Sequence, residues 1–221
     1  KKTPHQLVMT ATPIPRSLTM SAYADLDTSI IDELPPGRQA IQTIALSTNR
    51  KDEIIEKIKQ VCAEGRQIYW VCTLIEESEV LRAESAENTF TYLSNNFADL
   101  RVMMIHGRLN KGDKEAIMRD FSQGKINILV ATTVIEVGVN VPNASLMIVE
   151  NAERLGLAQL HQLRGRVGRG GEKSVCVLMY QSPLSESAKQ RLDILRQTCD
   201  GFVIAEKDLE LRGPGEVLGT Q

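Results

Sequence analysis

The run Gln162-Leu163-Arg164-Gly165-Arg166-Val167-Gly168-Arg169-Gly170-Gly171 holds the densest chemistry in the chain. Its three arginines, with Lys173 set against Glu172, concentrate a net charge of +3 in residues 164–173. A guanidinium is a planar fork of donors that matches phosphate oxygens. The interleaved glycines let the backbone turn tightly and come close to a ligand. A Gly/Arg cluster of arbitrary order is more often a solvated basic turn ending a helix, where positive charge is favoured anyway. The order Q-x-x-G-R-x-G-R is much rarer than such a cluster.

Other polar candidates read first as local structure. Thr12 before Pro13 has the form of a helix N-cap with proline at the first helical position. Thr132-Thr133, after an apolar run, also suits a cap. His106 at a strand end reads as a satisfied structural histidine. Cys62, Cys72, Cys176 and Cys199 include no C-x-x-C pair, so neither zinc nor redox chemistry is indicated. Buried free thiols in apolar runs are ordinary, and a reducing, cytoplasmic setting is expected.

The elements that must position these residues alternate along the chain. Gln67–Thr73, Arg101–His106, Asn127–Ala131, Ser145–Glu150 and Ser174–Tyr180 are short apolar runs that predict strands. Between them, Lys51–Ala63, Glu76–Phe97, Lys111–Gln123 and Leu157–Arg166 carry apolar residues at helical spacing. In the first of these, Ile54, Ile55, Ile58, Val61 and Cys62 form one face. Near-continuous apolar strands separated by helices imply an α/β fold with a parallel sheet covered on both faces. Residues 1–45 hold one short strand, a proline-punctuated helix and the turn Leu34-Pro35-Pro36-Gly37. Leu184–Thr198 and Phe202–Leu211, broken at Asp200-Gly201, predict an appended helical hairpin.

With 26 basic and 28 acidic residues among 221, the net charge is −2, which excludes a globally basic nucleic-acid binder and a polybasic membrane binder. The 42% apolar content suffices for a core. With one Trp, four Tyr and four Phe, there are few rings on which to stack single-stranded bases. No apolar run approaches the ~18 residues of a membrane span, and the start lacks a signal peptide's apolar stretch. Opening without Met at Lys1 and closing at Gln221, the chain reads as a piece of a longer protein, cut inside a domain.

The stretch from Gln162 resembles motif VI of superfamily-two helicases. Met9-Thr10-Ala11-Thr12-Pro13 resembles motif III, Trp70-Val71-Cys72-Thr73 stands in the place of motif IV, and the run Leu129–Pro142 resembles motif V. The segments beginning at Thr10, Glu153 and Asp208 narrow the likeness to RecG-type helicases, which remodel branched DNA using ATP. Mfd-like transcription-repair coupling translocases are the nearest alternative. A RecA-like module that binds without catalysis is the alternative from another class.

The resemblance implies a RecA-like parallel sheet flanked by helices, with a C-terminal helical hairpin. Residues 1–45 would be the remnant of a first motor domain plus linker, 46–181 the second RecA-like domain, and 182–221 a truncated translocation hairpin. Arg166 and Arg169 match arginine fingers that reach the γ-phosphate, and Gln162 would orient that contact. Gly138, Asn140, Gly165 and Gly168 fall on the nucleotide-binding positions. Asn140 stands where the family usually has Asp, so it keeps hydrogen-bonding capacity and loses the charge. Thr132 matches a donor to a DNA phosphate. Thr10 and Thr12 match coupling hydroxyls, and Arg191 and Arg212 match translocation-motif positions. The implied partners are ATP with Mg2+ and forked or branched DNA. No G-x-x-x-x-G-K-[ST] phosphate loop occurs in the chain. No Asp-Glu pair ends an apolar strand to hold magnesium. The fragment is therefore expected to be inactive as an ATPase by itself. A first-domain remnant without its sheet neighbours leaves unpaired edges open to association with a second copy.

Overall fold

The computed structural model describes residues 29, 31, 38–73, 79–132 and 141–212, the side chains of 79–83 and 212 excepted. In chain order the described elements are β1 (Gln42–Ser47), α1 (Lys51–Ala63), β2 (Gln67–Cys72), α2 (Glu79–Asn96), β3 (Val102–Ile105) and α3 (Lys111–Ser122). They continue with β4 (Ile128–Thr132), β5 (Ala144–Val149), α4 (Leu157–Arg164), β6 (Val175–Tyr180), α5 (Glu186–Gln197) and α6 (Gly201–Arg212).

The strands form one sheet in the order β1-β6-β5-β2-β4-β3, with every pairing parallel. The α/β, RecA-like expectation holds. Parallel neighbours need crossover connections, so helices cover both faces and the inner strands must be apolar on both sides. All six residues of β2 and of β5 are buried accordingly. Alternation along β2 sends Ile68, Trp70 and Cys72 to the face covered by α1 and α2. Tyr69 and Val71 go to the opposite face, beneath α3, α4 and α5. The five residues expected on the inner face of α1 are the five it buries.

One strand escapes a periodicity reading. β1 (QTIALS) is an edge strand, half exposed, paired only with β6, and it has no continuous apolar signature. It starts ahead of the expected division at residues 45/46. The hairpin is α5 and α6, turned at Asp200-Gly201, with α5 packed on β1 and α6 against α4. Ser185 caps α5 by accepting the Ala188 N–H at 3.2 Å. The expected strand near Val8 and the turn at 34–37 lie outside the described residues.

Candidate functional site

Because all strands run one way, the sheet has an amino edge and a carboxyl edge. They lie roughly 16–20 Å apart at a rise of about 3.3 Å per residue. Helix α4 carries the chain from one to the other. It starts at Gly156, whose N–H is accepted by Gln159 Oε1 at 3.2 Å, and it buries Leu157, Leu160 and Leu163. It ends at Gly165, which delivers the loop of residues 165–174 to the amino edge, just before β6.

Packing fixes the path of that loop. Gly168 has φ +72°, a backbone that favours glycine, and a Cβ there would lie 2.8 Å from Ile41 Cγ1. Gly170 passes so close to the turn before β5 that a Cβ would lie 2.6 Å from the Pro142 carbonyl oxygen. The end of the motif V-like run and the motif VI-like loop therefore meet at the amino edge. Gly170→Ala must displace backbone. We expect it to destabilise the domain by about 1–3 kcal/mol, within the range for overpacked sites, read as a lower urea midpoint. An unchanged midpoint would contradict this close approach.

The three arginines of the run have two different fates. Arg164, 2% exposed, turns inward. Its Nη1 donates to the carbonyls of Leu195 (2.8 Å) and Thr198 (2.9 Å) and to Thr43 Oγ1 (3.2 Å). Its Nη2 lies 3.1 Å from His161 Nδ1. A guanidinium can only donate, so Nδ1 accepts and the neutral ring carries its proton on Nε2. Burial, reinforced by the Arg164 charge, holds His161 below the ordinary histidine range.

Arg166 and Arg169 stay outward. Among the described residues, Arg169 Nε donates only to the Gly165 carbonyl, at 3.2 Å. Both arginines act on the buried Tyr69, whose hydroxyl is pushed up to about 12 by burial and partly offset by their charge. Partial burial and the positive charge of Arg166 and Arg38 lower the Arg169 value. The loop's one carboxylate, Glu172, is taken by Arg66 at 2.8 Å. Among the described residues, none of Arg38, Arg166 and Arg169 has a carboxylate partner.

The carboxyl edge is built the opposite way. Lys51 Nζ lies 3.3 Å from Glu150 Oε1 and stands over the rings of Tyr92 (4.4 Å) and Trp70 (5.3 Å). Thr89 Oγ1 donates to Glu150 Oε2 at 3.4 Å, and Thr73 Oγ1 donates to the Glu150 carbonyl. Among the described residues, charge there is internally paired. At the amino edge like charges are gathered without a carboxylate partner among the described residues, which disfavours the folded chain unless an anion supplies the counter-charge. The donor set also decides what fits: guanidiniums suit phosphate oxygens, and none of these groups could ligate a cation.

The remaining predicted residues are placed as follows. Gln162 is exposed on α4, one turn before Arg166, and makes no side-chain hydrogen bond among the described residues. Thr132 is buried at the carboxyl end of β4, opposite Cys72, so it lies across the sheet from the arginines. Arg191 faces inward from α5: its Nη2 donates to the Glu153 carbonyl (2.8 Å) and its Nη1 to Ser187 Oγ (2.9 Å). Thr10, Thr12, Gly138, Asn140 and the Arg212 side chain lie outside the described residues. Sequence reasoning missed the inward role of Arg164, although a signal existed. Leu157, Leu160 and Arg164 are spaced i, i+3, i+7, which places the arginine on the buried face. It also missed Arg38, which carries no motif signature.

The model of the family described as "Helicase conserved C-terminal domain" matches residues 48–171, more than half of the chain, and the chain belongs to that family. Within it, the chain is 63% identical over 219 residues to the ATP-dependent DNA helicase RecG of Escherichia coli (strain K12), covering 99% of this chain and 32% of the relative. It is 48% identical to the RecG of Bacillus subtilis (strain 168), again over 99% of this chain and 32% of that one. It thus spans about a third of the length of the curated relatives it matches. Among solved structures, RecG bound to a three-way DNA junction aligns with 94% of this chain and 27% of its own, at 46% identity and a TM-score of 0.79. Saccharomyces cerevisiae Dbp5 bound to RNA and ADP BeF3 aligns with 87% of this chain and 48% of its own, at 17% identity and a TM-score of 0.58, a likeness of fold alone.

Proposed function

We propose that this chain is the carboxyl-terminal part of an ATP-dependent DNA helicase that remodels forked or branched DNA, and that it completes an ATPase site whose phosphate loop lies elsewhere in the protein. One observation carries the reading: among the described residues, Arg166 and Arg169 have no carboxylate partner at the amino edge, on a loop that passes close against the Pro142 turn. Such guanidiniums can stabilise the charge that spreads over a transferring phosphoryl group. Gln162 orients that contact, and Gly165 and Gly168 shape the loop, with Gly138 and Asn140 completing the nucleotide side. Mg2+ would be held by carboxylates of the other half, since the guanidiniums here offer donors only. Thr132, on the opposite edge, serves the DNA track, together with Thr10, Thr12, Arg191 and Arg212.

The division into a first-domain remnant, a second RecA-like domain and a hairpin is part of this proposal, with the second domain beginning at Gln42, where its sheet begins. A cytoplasmic setting is supported by the free thiols of Cys62, Cys72 and Cys176, all buried. The test compares the 221-residue chain with the full-length protein on forked DNA. The chain alone is expected to show no ATP turnover above blank, and the full-length protein turnover that DNA stimulates. Sustained hydrolysis by the purified chain, or a full-length protein indifferent to DNA and ATP, would refute the proposal.

A further inference from the structure

The segment leading into β1 lies along the arginine loop. Gln39 Nε2 donates to the Gly171 carbonyl at 2.9 Å, Ile41 fills the space against Gly168, and the Gln42 N–H reaches the Ser174 carbonyl at 3.0 Å. Residues 39 and 42 meet residues 171 and 174 in order, so the residue before them, half-buried Arg38, is carried to the amino edge. There its charge is felt by Arg169 and by His161. Glu172, the one carboxylate of the loop, is already engaged by Arg66. Arg38 makes no hydrogen bond or ion pair among the described residues. Among the described residues, Arg38 thus adds a guanidinium near Arg169 with no carboxylate to pair it.

We propose that Arg38 is a third phosphate-contacting residue of the nucleotide site, delivered by the segment before β1 and held there by the Gln39–Gly171 hydrogen bond. This rests on the reading of Arg166 and Arg169 given above. The chemical class it takes is a nucleoside polyphosphate. Arg38 sits on a different segment from the motif VI-like loop, joined to it by the Gln39 and Gln42 bonds and by Ile41. We assign it to holding the bound nucleotide in the ground state, and the transition-state charge to the loop arginines.

The experiment uses the full-length protein with Arg38→Gln, Arg38→Lys, Gln39→Ala and Arg166→Ala, measuring ATP turnover on forked DNA and equilibrium binding of a fluorescent non-hydrolysable ATP analogue. Arg38→Gln is expected to raise both the KM for ATP and the Kd for the analogue about tenfold, the worth of one charge-assisted bond, with kcat within about threefold. Arg38→Lys should recover part of the loss, and Gln39→Ala should reproduce part of it by loosening the segment. Arg166→Ala should abolish turnover while leaving analogue affinity nearly intact. If Arg166→Ala behaves so but Arg38→Gln leaves KM and Kd within twofold of wild type, the Arg38 assignment is overturned and the site reading survives. Loss of kcat at unchanged analogue affinity in Arg38→Gln would overturn it equally. Unchanged turnover in Arg166→Ala would remove the site reading itself.

Discussion

Arg166→Ala in the full-length protein is expected to lower DNA-stimulated ATP turnover by about 10³-fold, on the order of 4 kcal/mol in activation free energy. The size follows from where the guanidinium stands. It is not held by a carboxylate among the described residues, so its donors remain available for charge that develops as the phosphoryl group moves. Its loop needs little reorganisation, because Gly168 and Gly170 lock the backbone against Ile41 and Pro142. The loss should fall on kcat, with the affinity for ATP changed only a few-fold. Arg169→Ala should behave in the same direction. Neither change should lower the chain's thermal stability, since each removes an unpaired charge from a cluster of like charges. Turnover within tenfold of wild type in both variants would contradict the assignment.

Arg164→Ala has the opposite signature. The side chain bonds two carbonyls at the end of α5, a hydroxyl of β1 and the ring of His161. The two carbonyls belong to the last turn of α5 and to Thr198 just beyond it, where the helix favours positive charge. Removing the guanidinium orphans these acceptors and leaves a cavity among α4, α5 and β1. We expect a loss of about 3 kcal/mol, a fall in melting temperature of roughly 6–12 °C for a chain of this size. Arg164→Lys should recover little, because one ammonium cannot reproduce a fork that spans three elements. Thermal unfolding of the 221-residue chain reads both. A wild-type melting temperature in Arg164→Ala would mean that the hairpin is not held through this residue. Arg164 and Arg166 are two positions apart in one motif, yet one should fail by unfolding and the other by losing chemistry.

That contrast shows what sequence pattern can and cannot convey. The strands β2, β4 and β5 were legible because central parallel strands are buried on both faces and must be apolar throughout. Helix α1 was legible because its buried face has helical period. Strand β1 was not, since an edge strand buries too little to force a pattern. Arg166 and Arg169 were found by motif order alone, which recorded the residue types but not their surroundings. That they lack carboxylate partners among the described residues depends in part on Arg66, just before β2, engaging Glu172, a contact between residues more than 100 positions apart. Arg191 stands among the residues proposed to serve the DNA track, and its bonds to Glu153 and Ser187, which no sequence pattern shows, fix its place in the fold. Glycines interleaved with arginines suggest backbone freedom, whereas at Gly170 the lack of a side chain is needed to pass the Pro142 carbonyl.

The central claim is that the amino-edge arginines act on the transferring phosphoryl group and not merely on bound nucleotide. The most direct measurement is the affinity of the full-length protein for ADP alone and for ADP with aluminium fluoride, a mimic of that group in transfer. Wild type is expected to bind the mimic at least 100-fold more tightly than ADP, the range of modest transition-state analogues. Arg166→Ala is expected to lose that preference while keeping its ADP affinity within a few-fold. An Arg166→Ala protein that still prefers the mimic as strongly as wild type would contradict the account.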